Sequence, residues 1–112
     1  MKAITAVVRA HLLDRVLHAL ERCEHFPGVT ISPCQGESRG RGAGGAYRAE
    51  SGLSMREMAR LEIYCSDEHY AHLTGVIAEA AHTGNPSDGV IGVTDLVEVV
   101  RIRSGERNDA AV

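Results

Sequence analysis

From Gly36 to about Arg56 the chain offers almost nothing to bury. Gly36-Glu37-Ser38-Arg39-Gly40-Arg41-Gly42-Ala43-Gly44-Gly45-Ala46 is made of glycine, small and charged residues, and no regular pattern returns until after Tyr47 and the polar run to Arg56. A loop of about twenty residues inside a compact domain is uncommon unless it has a function. Its glycine content makes it a mobile segment, either a working loop or a plain flexible insertion. The whole chain is 112 residues, one domain of ordinary size. Any core must therefore come from the two segments that flank the loop.

Each flank carries the same sequence of patterns. Lys2 to Arg9 alternates, with Ile4, Ala6 and Val8 on one side and Ala3, Thr5 and Val7 on the other, which predicts a strand. From His11 the period changes, and Leu13, Val16, Leu17 and Leu20 form one face of an amphipathic helix. Glu24-His25-Phe26-Pro27-Gly28 stops it, and Val29-Thr30-Ile31-Ser32 begins a second strand in which Pro33 marks an edge or a bulge. Beyond the loop, Met58 to Cys65 predicts a third strand, with Ala59, Leu61, Ile63 and Cys65 on one face. Ser66 is placed to cap a second helix, with Asp67 and Glu68 at its positive end and Leu73, Val76, Ile77 and Ala80 or Ala81 on its buried side. Val90 to Val93 and Leu96 to Arg103 supply further strand material, with Arg101 and Arg103 projecting from one face. Ser104 to Val112 is a small, polar tail.

The order β-α-β-β-α-β predicts an α+β, ferredoxin-like sandwich: an antiparallel sheet with two helices on one face. The opposite face of such a sheet needs cover, which an oligomer would supply.

Between the second helix and the fourth strand lies Ala81-His82-Thr83-Gly84-Asn85-Pro86-Ser87-Asp88-Gly89-Val90-Ile91. Glycines, Asn-Pro and Ser-Asp-Gly break both neighbouring patterns. Such a loop can turn bare backbone N–H groups toward a phosphate or carboxylate. It can equally be a connector in which Gly84 caps the helix.

Composition removes several classes of function. A formal net charge of -3 argues against a nucleic-acid-binding domain built on a basic field. No apolar run approaches bilayer length and the start MKAITAVVRAH lacks the run of a signal peptide, so membrane insertion is not expected and a cytoplasmic location is. Cys23, Cys34 and Cys65 are odd in number and widely spaced, which predicts reduced thiols. Cys65, on a strand, reads as a small core residue rather than a reactive thiol, and Cys34 as the most exposed of the three.

The residues resemble the PII signal-transduction proteins over nearly the whole chain. Ile4-Thr5-Ala6-Val7-Val8-Arg9 with Leu13-Asp14-Arg15-Val16, Gly28-Val29-Thr30-Ile31, Leu61-Glu62-Ile63, Ala81-His82-Thr83-Gly84 with Asp88-Gly89, and Val100-Arg101-Ile102-Arg103-Ser104-Gly105-Glu106 fall in the family's order and spacing. The resemblance implies one PII-like domain over 1–112, with a flexible T-loop at about 37–57, a B-loop at about 82–90 and a C-terminal segment at about 101–112. It implies a homotrimer with adenine nucleotide (ADP, AMP or ATP) in the clefts between subunits. It implies a membrane transporter or metabolic enzyme as the partner held by the T-loop.

Carried over by position, Val7, Thr30 and Tyr64 would lie near the base, and Glu62 on the cleft wall. Gly36, Ser38 and Arg39 would form the near end of the T-loop. Gly84, Ser87, Asp88, Gly89 and Val90 would make the B-loop, and Arg101 and Arg103 would come from the neighbouring subunit. Arginine is a good bidentate partner for phosphate and glycine lets amides approach closely. Read without the resemblance, the two arginines are equally a solvated strand end.

The sequence also departs from the family. Lysines that the family places within and just after the B-loop are here Asn85 and Val90. ADP or AMP is therefore expected to compete better against ATP than is usual. The glutamine that helps hold magnesium and 2-oxoglutarate aligns with Gly40, and an aromatic position is Glu37, which argues against the usual sensing of 2-oxoglutarate. The tyrosine that some members uridylylate aligns near Ser51, so that modification is not expected.

Six histidines require a metal test. His69 and His72, three apart on the second helix, could face one ion, though no compact zinc signature is present. A metal-responsive or heavy-metal-tolerance protein of the same trimeric fold is the alternative function, against a surface-histidine reading. No catalytic constellation can be placed from sequence, so an enzyme is not expected.

Overall fold

The computed structural model describes residues 1–37 and 55–112. The expected T-loop, with Ser38, Arg39, Gly40 and Ser51, lies almost wholly outside these residues. The elements follow in the order β1 (Lys2–Arg9), α1 (Leu13–Glu21), β2 (Thr30–Gly36), β3 (Arg56–Cys65), α2 (Tyr70–Ala81) and β4 (Gly89–Asp95). Short 3-10 turns lead into α1 at Ala10–Leu12 and close the chain at Asn108–Ala111. The strands form one antiparallel sheet in the order β2-β3-β1-β4. This is the expected α+β arrangement.

Alternation sets the sheet's inner face. Ile4, Ala6 and Val8 of β1 and Ala59, Leu61, Ile63 and Cys65 of β3 are buried, and Val16, Leu20, Leu73, Ile77 and Ala81 of the helices close over them. At about 2 kcal/mol for each large aliphatic side chain, this layer is the main source of stability. Register then fixes the outer face: Thr5 opposes Glu62, Val7 opposes both Arg60 and Val90, and Thr30 opposes Glu62. Pro33 lies inside β2, which is indeed an edge strand.

Three local expectations are corrected. Ser66 does not cap α2: the helix starts at Tyr70, after a turn in which the His69 N–H donates to the Ser66 carbonyl at 3.2 Å, and the buried Ser66 Oγ has no hydrogen-bond partner among the described residues. Asp67 is instead drawn to the Met1 ammonium, 2.9 Å away. Leu96 to Arg103 does not extend the sheet. Val99 exchanges hydrogen bonds with Asn108, the Arg101 N–H donates to the Glu106 carbonyl, and Val100 and Arg107 form an isolated bridge. The β-branched residues thus pair with the chain's own tail in a small hairpin, leaving Val97 and Ile102 fully exposed. The polar tail is itself anchored, since Ala111 is buried. Finally, Gly84 is not the helix cap. His82 holds that position in extended conformation, and Gly84 lies two residues further on with φ +85.

Candidate functional site

The loop after α2 is organised by one carboxylate. Asp88 accepts the Thr83 N–H at 2.8 Å and the Gly84 N–H at 2.9 Å on one oxygen, and the Thr83 hydroxyl on the other. Arg9, at the end of β1, donates from Nε to Asp88 at 3.3 Å and from its terminal nitrogen to the Pro86 carbonyl. The Asn85 N–H in turn donates to the Thr83 hydroxyl at 3.1 Å. Burial alone would raise the Asp88 pKa, but the bonds from Thr83, Gly84 and Arg9 outweigh it and hold the carboxyl far below the usual carboxylate range. The amides that the sequence offered to an external anion thus already hold an internal one.

The loop then turns sharply into β4. Ser87 adopts φ 68, a left-handed conformation uncommon outside glycine. Gly89 has φ +121, and a Cβ there would lie 1.9 Å from the Val7 carbonyl oxygen. Only glycine lets the two backbones meet so closely. The result is a hollow of about 320 Å³ lined by Val7, Gly36, Glu37, Arg56, Met58, Ser87, Gly89 and Val90.

A second hollow, of about 510 Å³, is bounded by Gly28, Val29, Thr30, Glu62, Tyr64, the backbone run Val99 to Arg103, Ala111 and Val112. Arg101 and Arg103 sit on the turn of the C-terminal hairpin, whose backbone is fixed by Arg101 donating to the Glu106 carbonyl and Gly105 donating to that of Arg101, both at 2.8 Å. Both arginines are exposed, and among the described residues neither guanidinium has a protein partner. Glu62, on the wall, is held by Arg60 at 2.8 Å. The hollow therefore presents two available cations beside the half-exposed Tyr64 ring.

The residues expected to form one site are thus divided. Val7, Gly36, Ser87, Gly89 and Val90 line the glycine-loop hollow, and Thr30, Glu62, Tyr64, Arg101 and Arg103 line the arginine hollow. The two share no residue. Gly84 and Asp88 belong to the internal network of the loop, and Ser38 and Arg39 lie outside the described residues. Sequence reasoning missed Arg9, Arg56, Met58 and the C-terminal Val112. Arg9 had a signal, a charge closing an otherwise apolar alternation, but its partner is far away in sequence.

His69 is the residue that precedes α2, at its N-cap. Its ring stacks on His25, with centroids 4.0 Å apart and planes 9° from parallel. Among the described residues no group of three or more His, Cys, Asp or Glu side chains is placed to hold a metal ion. The three cysteines are free thiols, with Cys65 buried and its thiol pKa pushed up by that burial. No helix among the described residues is long and apolar enough to cross a membrane.

Comparison with known proteins agrees with the fold. The family model for nitrogen regulatory protein P-II matches residues 1–106. A "Nitrogen regulatory protein P-II" of Azospirillum brasilense is 35% identical over the full length of both chains. "Nitrogen regulatory protein P-II 1" of Methanothermobacter thermautotrophicus is also 35% identical, over all of this chain and 97% of its own length. "Nitrogen regulatory protein GlnK" of Escherichia coli K12 is 30% identical over the full length of both. The chain, matched by that family model over residues 1–106 and by these relatives over its full length, belongs to the nitrogen regulatory protein P-II family of signalling proteins.

Proposed function

We propose that this PII-family protein binds an adenine nucleotide between adjacent copies of itself in a homotrimer. Bound nucleotide then biases the loop at 37–57 toward or away from a partner, a membrane transporter or a metabolic enzyme. The observation that carries the reading is the division of the site. The glycine-loop hollow reaches β2 at Gly36, and the arginine hollow reaches it at Thr30, about 20 Å away at ~3.3 Å per residue. A single chain cannot close both around one small ligand, but a neighbour's arginine hollow set against the glycine loop would. The cations of one copy would then meet the phosphates, while Tyr64 and Val7 flank the base. The open outer face of the sheet gives the copies a surface to share. Ordering a glycine-rich loop costs more entropy than ordering an ordinary one, so its equilibrium is well placed to respond to a ligand. Free thiols suit a cytoplasmic protein.

Light scattering and calorimetry with AMP, ADP, ATP and cyclic AMP test this. A trimer that binds at least one of them, with affinity about tenfold or more lower in Arg101→Ala, is the expected result. A monomer, or silence toward all four nucleotides, overturns it.

A further inference from the structure

We infer that the stacked rings of His25 and His69 form an acid-sensitive latch behind the arginine hollow. At neutral pH the rings hold the loop between α1 and β2 against the start of α2, and a proton on each ring releases it. The latch stands on its own geometry; its effect on a ligand rests on the nucleotide reading above.

The rings border a third cavity, of about 400 Å³, which lies behind the arginine hollow and shares Pro27 and Val112 with it as a common wall. His25 sits in the turn after α1, two residues before Pro27, and the same loop runs on through Gly28 and Val29 to Thr30, which line the hollow itself. His69 is held differently, at the N-cap of a helix whose Leu73 and Ile77 are buried in the core. The ring contact therefore ties a loop outside the sheet to an anchored helix.

The response to protons follows from charge. Two neutral imidazoles with centroids 4.0 Å apart and planes 9° from parallel make a favourable stack. Two imidazolium rings at that separation repel, and histidine takes up its proton between about pH 5 and 8. The groups facing the pair are mostly acidic. Glu24 lies 4.0 Å from His25 Nε2 and Glu68 3.8 Å from His69 Nε2, and the exposed Asp109 reaches the cavity from the C-terminal turn. Asp67 is already held by the Met1 ammonium, and Cys65 contributes a thiol kept neutral by burial. The Glu24 and Glu68 side chains are 88% and 85% exposed, so solvent screens them: they favour a first proton without cancelling the repulsion that comes with a second. Opening the cavity also gives something back. The buried Ser66 hydroxyl lines it without a hydrogen-bond partner among the described residues, and water would supply one. Once the rings part, the loop at Pro27 and the tail at Ala111 and Val112, which together wall the arginine hollow, lose their backing and shift.

Solution NMR and calorimetry of the intact protein between about pH 8 and pH 5.5 test the latch, with His69→Phe as the variant that keeps a ring to stack and takes no proton. In the unaltered protein the amide signals of Gly28, Val29 and Ala111 are expected to shift together as the pH falls, and in His69→Phe to stay where they are. ADP affinity is expected to fall at least about fivefold more over that range in the unaltered protein than in the variant, protonation of ADP itself being common to both. His25→Phe should repeat the result and keeps the test open if the first variant fails to fold. Amide signals that move alike in all three proteins, or an equal loss of ADP affinity in all three, overturn the inference while leaving nucleotide binding intact. Silence toward ADP at both pH values, with the amide signals still differing as described, overturns the nucleotide reading and supports the latch.

Discussion

The two hollows use opposite strategies. The glycine loop is finished before any ligand arrives: its carboxylate, amides and one guanidinium satisfy one another, and its turn into β4 leaves no room for a side chain at Gly89. The arginine hairpin has a settled backbone but uncommitted charges. Preorganised backbone fixes shape, and free guanidinium groups supply attraction. A site that needs both gains when each is built where the local chain can support it. The difference also predicts where substitutions will act, on folding at the loop and on binding at the hairpin.

Gly89→Ala is the strongest way to break the contrast. The added methyl meets the Val7 carbonyl at 1.9 Å and the residue must keep φ +121, so the loss should be about 4 kcal/mol or more, read as a collapse of the urea midpoint. The matching change in the hairpin, Gly105→Ala, has open space around it and only φ +75 to oppose it, so about 1 kcal/mol is expected. Comparable losses at the two glycines would remove the distinction.

Asp88→Asn comes between these two, at about 2 kcal/mol, since it weakens several charge-assisted hydrogen bonds at once. Its pH dependence has a definite sign. The folded carboxyl titrates below its ordinary value of 3.8, so the stabilisation is complete above that value and is lost as the pH falls toward the folded one. Melting curves of the two proteins should therefore differ fully at pH 6 and converge as the solution is acidified below pH 4. A constant gap across that range would mean that the carboxylate's charge is not what holds the loop.

The smallest effect on folding belongs to Arg101→Ala and Arg103→Ala. Both side chains are exposed and unpartnered among the described residues, so the melting temperature should stay where it is while nucleotide affinity falls about tenfold or more. A fall in stability with unchanged binding would assign the arginines to the hairpin rather than to the ligand.

Much of the core was legible because it obeys local periods. The alternation of Ile4, Ala6 and Val8 and the spacing of Val16 and Leu20 each name a buried face without any knowledge of the partner. What could not be read depended on contacts between distant residues. Arg9 and Asp88 are 79 positions apart, and nothing near either shows that they meet. Val97, Val99 and Val100 have strong strand propensity, yet Asn108 folds the tail back onto Val99 and makes a hairpin of them. Ser66 has the right neighbours for a cap, but the helix begins at Tyr70, out of its reach. The residues named for the site fall into two hollows rather than one, and that division follows from sheet register, which no local pattern shows.

Pro33 gives the two flanks of the sheet different fates in a crowded solution. It lies within the outermost strand on the β2 side and has no amide hydrogen to lend. A stray strand creeping up on that flank forfeits a rung, which discourages runaway stacking into fibres. The opposite flank, β4, carries no proline and remains hospitable to a visiting backbone. Any ribbon-to-ribbon zippering is thereby polarised, so that copies meeting flank to flank would be steered toward a closed cluster and away from an endless tape.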